Sequence, residues 1–554
     1  MKRLSLVVAA LVVAGATVGT LAMTSGAAPD GITNLVASSP TTGGGYPVPT
    51  GSRVPEAGTC RTGPFDANHS ESWLAVKPGT EDLVGSSKFF FDKYSTFYMF
   101  YLGAYQILGG TPSGNNQIQG YDCISTGTQE MPPSWTDTTD PNVDFDTQGR
   151  VYQTILPFNS FFDATKLHPD GEIDVSYSDF PWRDWVKGNG GRPLEPPNNA
   201  SAKQAGHVED KQWIAVNHIP GNRFHDHVYA AWSVFNGNGG GIKVRMAVSR
   251  DRGQTFAKAV TISTPSEVSA GVTYVYPEID AVGDVYVSLV SFPPNGGAST
   301  IYVARSSDDG RTFGPWVPVT TVNMIPTAGL PNTRFRDGIT ESFAASQTFP
   351  GHLYLTYEDW DPLAGQMDVK FTQSTDGGST WTTPVVVNDN FDLAGAATDQ
   401  FQPSVAAGPD GAVAVAFYDR RRACPDDPSI LPADVGRTNF CIDTSLQAYK
   451  DSGDGAVPVG ANVRISDFTW DPEQPGQHRG GLSQYPCAGA RDPCPTGRGF
   501  IGDYFGLAIS SGNIYALFVS THYPSDVTAD EGGLVYYQQQ VLATVPRSTF
   551  GAGY

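Results

Sequence analysis

An eight-residue phrase occurs three times in this chain and limits its fold more than any other feature. The copies are Ser249-Arg250-Asp251-Arg252-Gly253-Gln254-Thr255-Phe256, Ser306-Ser307-Asp308-Asp309-Gly310-Arg311-Thr312-Phe313 and Ser374-Thr375-Asp376-Gly377-Gly378-Ser379-Thr380-Trp381. They share the pattern S-x-D-x-G-x-T-aromatic and start 57 and 68 positions apart. Asp and Ser side chains accept bonds from nearby backbone N–H groups and close a tight turn. Gly supplies the positive φ such a turn needs, and the aromatic gives it an apolar anchor. Apolar or alternating runs at 242–248, 301–305 and 369–373 precede the phrase, and 260–262, 317–322 and 385–387 follow it. The phrase therefore reads as a hairpin turn repeated at intervals that suit propeller blades.

The phrase resembles the Asp box of the sialidase-like (bacterial-neuraminidase-repeat) β-propellers. That resemblance implies an all-β propeller and leaves the activity open, because the family includes hydrolases, receptors and non-catalytic binders. A looser repeat of apolar strand, Gly/Pro/Asp turn and second strand starts near Ser72, Val143, Gln212, Pro277, Ser342, Pro403 and Tyr504. The count predicts seven blades, where sialidases resemble six-bladed rings. Units three to five carry the good boxes. Degraded boxes fall at 176–185 and 450–454, and a leader strand near 32–36 is a candidate to close the ring.

Composition agrees. Of 554 residues, 62 are Gly, 42 are Pro and only 16% are charged, which suits a loop-rich all-β protein. A net charge of −21 argues against nucleic acid, whose binding rests on Lys and Arg neutralising phosphates. Met1-Lys2-Arg3 opens an apolar run to Met23, followed by small residues up to Ala28. This is expected to be a cleaved secretory signal. The expected organisation is a signal at 1–28, an extended leader at 29–65 and one propeller at 66–554. The product would be a secreted monomer with no membrane attachment after cleavage. Six cysteines in an exported chain point to disulfides. Cys487–Cys494, Cys424–Cys441 and Cys60–Cys123 are one of fifteen possible pairings.

In the family architecture the leading ends of the inner strands and the loops after the second strands share one face, and the boxes lie on the other. Carboxylates, arginines and aromatics should therefore meet at one mouth. Asp210, Glu278, Glu341, Asp419, Asp503 and Tyr504 are the candidate catalytic residues. Arg420, Arg421, Lys211, Trp232 and Trp360 are the candidate substrate contacts. Two carboxylates across a scissile bond supply a general acid and a base or nucleophile, and aromatic faces stack on sugars. The favoured reading is an exo-acting glycoside hydrolase resembling exo-α-sialidase, acting on a carbohydrate or glycoprotein. A polysaccharide lyase acting on uronate polymers and a non-catalytic glycan or protein binder are the alternatives. Sialidases clamp a carboxylate with three arginines. Candidates exist at Arg183, Arg223, Arg334, Arg336 and Arg420, but none begins an inner strand. His218, His225 and His227 read as surface loop residues. No metal or cofactor is expected, although Asp-rich turns could hold a structural calcium ion.

Overall fold

The computed structural model describes residues 31–38, 69–90, 100–117, 137–158, 172–196, 207–236, 241–263, 272–292, 298–325, 330, 335, 337–338, 341–389, 398–422, 441–470, 501–523 and 538–554. The expected signal segment lies outside these residues, as do Arg334 and Arg336. Cys441 is disulfide-bonded; the other five cysteines, and so the expected pairings, also lie outside them.

Seven antiparallel sheets form the molecule, and the inner strand of each touches that of the next around a closed ring. This is a seven-bladed β-propeller. Blades 3, 4 and 5 each end in an Asp box at the turn between the third and fourth strands. The three boxes make the same circuit. In blade 3 the Gly253 N–H donates to Ser249 Oγ at 2.8 Å, while the Thr255 N–H and hydroxyl donate to the two oxygens of Asp251 at 2.8 and 2.5 Å. Asp308 and Asp376 take the same bonds from Thr312 and Thr380. The residue before the conserved Gly is also left-handed, at φ +59° for Arg252, +69° for Asp309 and +72° for Gly377. Burial pushes each box aspartate up, but the threonine bonds outweigh it and leave all three below the ordinary value. The degraded boxes occupy the equivalent turns of blades 2 and 6, where Asp451 accepts from Gly453 and Gly455.

The box face also carries bonds that hold blade to blade. Asp309 accepts from Tyr229 and His227 of blade 3, and Asp451 accepts from Tyr354 and His352 of blade 5. His227 is thus a blade-to-blade contact, and His225 reaches Thr147 of blade 2.

Ring closure uses the leader. Thr33–Val36 pairs with Gln539–Pro546 as the outermost strand of blade 7, from Thr33 opposite Thr544 to Val36 opposite Val541. The propeller therefore takes in residues expected to run over its surface. At the inner end of the same seam, Gly506 lies so close to blade 1 that a Cβ there would sit 2.6 Å from the Leu74 nitrogen. Backbone cannot yield as a flexible side chain can. Gly506→Ala is expected to cost about 2–3 kcal/mol by overpacking, whereas Gly553→Ala, which meets nothing within 4 Å, should be neutral. Thermal and urea unfolding of the two variants check this.

Candidate active site

The mouth is built by a backbone device. The inner strand of five blades places one residue in the left-handed region near its leading end: Glu71 (φ +40°), Asp140 (+59°), Lys211 (+49°), Tyr274 (+54°) and Gln402 (+45°). In four of them the pairing with the second strand slips at that point, as a β-bulge does. In blade 2 the inner strand is interrupted there instead. A non-glycine residue held at positive φ costs about 1–3 kcal/mol and persists only where its surroundings impose it. A bulge re-aims a side chain, and here it turns one polar or aromatic group per blade toward the ring axis.

Lys211 shows the convergence. Its ammonium, from blade 3, lies 3.3 Å from Asp140 of blade 2 and 3.1 Å from Asp503 of blade 7. It also lies 5.2 Å from the Tyr274 ring of blade 4 and 5.6 Å from the Tyr504 ring. Burial works against this charge, but Asp140, Asp503 and Glu71 outweigh it and hold Lys211 well above the ordinary lysine value. On the blade 1 side, the Lys88 ammonium sits 2.9 Å from the Glu71 carboxyl. Burial still raises Glu71 above its ordinary value. Next to it, Gln402 donates to the Gly502 carbonyl at 2.8 Å and to Asp337 at 3.4 Å, and its N–H donates to Glu358 at 2.7 Å.

Two carboxyls here stand far above ordinary values. Asp210 accepts the Lys211 N–H at 2.9 Å. Burial pushes it up to about 7, against the opposing pull of Lys211 and with help from Asp140. Asp337 is pushed up to about 8 by burial, with Asp399 and Asp503 adding to the effect. Asp337 is almost fully enclosed, whereas Asp210 keeps part of its surface exposed. A protonated, reachable carboxyl beside ionised groups that are fixed in place is the arrangement of a proton donor near neutral pH.

Beneath the lysine the channel is plugged by aromatics. Trp213 stands edge-on to Trp73 at 4.6 Å, to Tyr276 at 4.6 Å and to Tyr504 at 5.1 Å. Burial holds the Tyr276 and Tyr504 phenols well above 10.

Of the candidates from sequence, Asp210, Lys211 and Asp503 meet at this mouth. Tyr504 borders it as part of the plug, and a buried neutral phenol does not serve as a nucleophile. The others lie elsewhere. Glu278 is on the axis but on the far side of the plug, facing Asp144. Glu341 is buried between blades and accepts from Ser288 at 3.2 Å. Asp419 is buried, with Gln400, Ser445 and Arg421 donating to it. Arg420 is fully buried against Asp399 at 2.8 Å, and Arg421 binds Asp389 and Asp419. Neither is placed to take a substrate anion. Trp232 is buried in the sheet among Leu156, Ile173 and Val234. Trp360, half-buried, packs against an apolar cluster at the end of a second strand. Among the described residues no group of three or more His, Cys, Asp and Glu is arranged to hold a metal.

Asp140, Asp337 and Tyr274 were missed. One signal was available for two of the bulges. Glu71-Ser-Trp73 and Lys211-Gln-Trp213 share a charged residue two before a channel tryptophan, and Tyr274-Val-Tyr276 follows the same spacing.

No family model matches the chain, and no curated protein matches it. Solved structures do resemble it. Polysaccharide lyase Uly1 is 9% identical with a TM-score of 0.43, over 93% of this chain and 99% of that one. A protein of unknown function from Dyadobacter fermentans is 8% identical with a TM-score of 0.42, over 93% and 99%. An α-L-arabinanase from Penicillium chrysogenum, complexed with arabinobiose, is 11% identical with a TM-score of 0.37, over 74% and 93%. Likenesses this distant carry no argument about the site, which stands on its own residues.

Proposed function

We propose that the protein is a secreted glycan-active enzyme, a glycoside hydrolase whose proton donor is Asp210. The observation that supports this most is the pairing of Asp210, poised near 7 and partly exposed, with a lysine whose charge is already met by Asp140 and Asp503. In this reading Asp210 protonates the leaving oxygen. Asp503, the less enclosed of the two carboxyls at Lys211, is the second carboxyl of the pair and activates water or attacks the sugar. The basic start and apolar run of the chain support export.

The charge at the mouth separates this reading from its rivals. Carboxyls outnumber cations around the axis, and Lys211 is occupied, so an uncharged sugar fits better than sialic acid or a uronate. A sialidase would need free arginines, yet Arg420 and Arg421 are both engaged internally. A lyase would need a free cation to hold the uronate carboxylate.

The test is incubation with neutral plant and fungal polysaccharides, a sialylated glycoprotein and uronate polymers. Reducing ends released from a neutral polymer, without unsaturated products, are the expected result. Free sialic acid or absorbance from unsaturated sugar would overturn the assignment in favour of sialidase or lyase. Glycan binding without turnover would establish a binder instead.

A further inference from the structure

The channel has a second end, on the box face, and its lining differs from the mouth. A cavity of about 340 Å³ opens there, floored by Trp73 and Trp213. One residue from each blade lines it at a single level, fixed by pairing with the second strands. Asp144, Ala215, Glu278, Ala344 and Ala508 lie opposite Tyr152, Tyr229, Tyr286, Tyr354 and Tyr515, while Ala75 and Ala406 lie opposite Val84 and Ala414. Five alanines keep the channel wide where larger apolar residues would fill it. The other two positions are both carboxyls.

We infer that this cavity is a binding site for a small organic cation with an apolar body, an alkylammonium being the simplest. Asp144 and Glu278 would face the charge, and the tryptophans and alanine wall would take the apolar part. Burial raises both carboxyls, Asp144 also feeling Asp146 and Glu278 feeling Asp144. A bound cation offsets that cost, and an anion would add to it. Among the described residues the one basic group on the wall is His218, whose Nδ1 is 3.9 Å from Asp144. The other polar side chains on the wall, among the described residues, are Gln347, Thr80, Ser510 and Ser511. A bare metal ion would need more oxygen ligands than two carboxyls supply. The aromatic plug separates this cavity from the mouth, so the inference does not depend on the hydrolase reading.

Calorimetric titration of the whole protein with n-butylammonium tests it, with n-butanol and butyrate as neutral and anionic counterparts. Saturable butylammonium binding with a Kd of about 1 mM or tighter is expected, within reach of so small a ligand. Binding should weaken at least tenfold in Glu278→Gln or Asp144→Asn and vanish in Ala406→Leu, which fills the cavity. Thermal unfolding of each variant confirms that it is folded. No saturable binding to the wild type, equal binding of n-butanol, or binding unchanged in folded Ala406→Leu would overturn the inference.

Discussion

Asp210→Asn is expected to reduce turnover by about 10²–10⁴-fold, the range a positioned general acid contributes, while substrate affinity and melting temperature stay close to wild type. Asparagine keeps the side-chain oxygen that accepts the Lys211 N–H. Stability gives a second handle with a definite sign. A carboxyl whose folded pKa is raised contributes most below its unfolded value, about 3.9, and that contribution is lost as pH rises through the folded value near 7. The asparagine variant has no such dependence, so it should be at least as stable as wild type at pH 8 and above. A residue that merely held the fold together would instead lose stability and activity together. Activity assays paired with melts at pH 5 and pH 8 decide between these outcomes.

Lys211→Met carries the second large effect, this time on folding. Removing one partner of a buried ion pair leaves the other charge uncompensated, at roughly 3–5 kcal/mol. Here two carboxylates, Asp140 and Asp503, lose their shared cation. The deficit should be largest at neutral pH and shrink toward pH 4. An uncompensated buried carboxylate is relieved by taking up a proton, so the penalty fades toward acid. Urea unfolding of wild type and variant between pH 4 and pH 8 measures this. A constant or growing gap toward acid would show that Lys211 contributes packing and not charge.

The fold was legible because its signals are local. Each Asp box closes on its own side chains, so three copies at blade spacing announced a propeller before any long-range contact was known. The strand-turn-strand units gave the blade count, and the leader strand was found because a seventh blade lacked an outer edge. The site was only partly legible, because burial and backbone bulges are not local. Glu341 and Asp419 look like mouth carboxylates in the sequence, but Glu341 is buried against Ser288 of the neighbouring blade and Asp419, at the end of a second strand, is buried under Gln400, Ser445 and Arg421. Arg420 and Arg421 look like an anion clamp until Asp399, Asp389 and Asp419, distant in sequence for the most part, fold onto them. Trp232 reads as a residue of the loop after a second strand, but it lies within that strand, Val228–Asn236, and is buried in the sheet. Asp140 and Asp337 escaped notice because their importance comes from neighbours on other blades.

Whether Asp210 is the proton donor can be tested without any substrate. Carbon-13 labelling of aspartate, with Asp210→Asn to assign the signal, allows the Asp210 carboxyl to be titrated by NMR. A midpoint near 7 is expected. A midpoint near the ordinary aspartate value of about 4 would mean that Asp210 is ionised at neutral pH and cannot be the proton donor at this mouth.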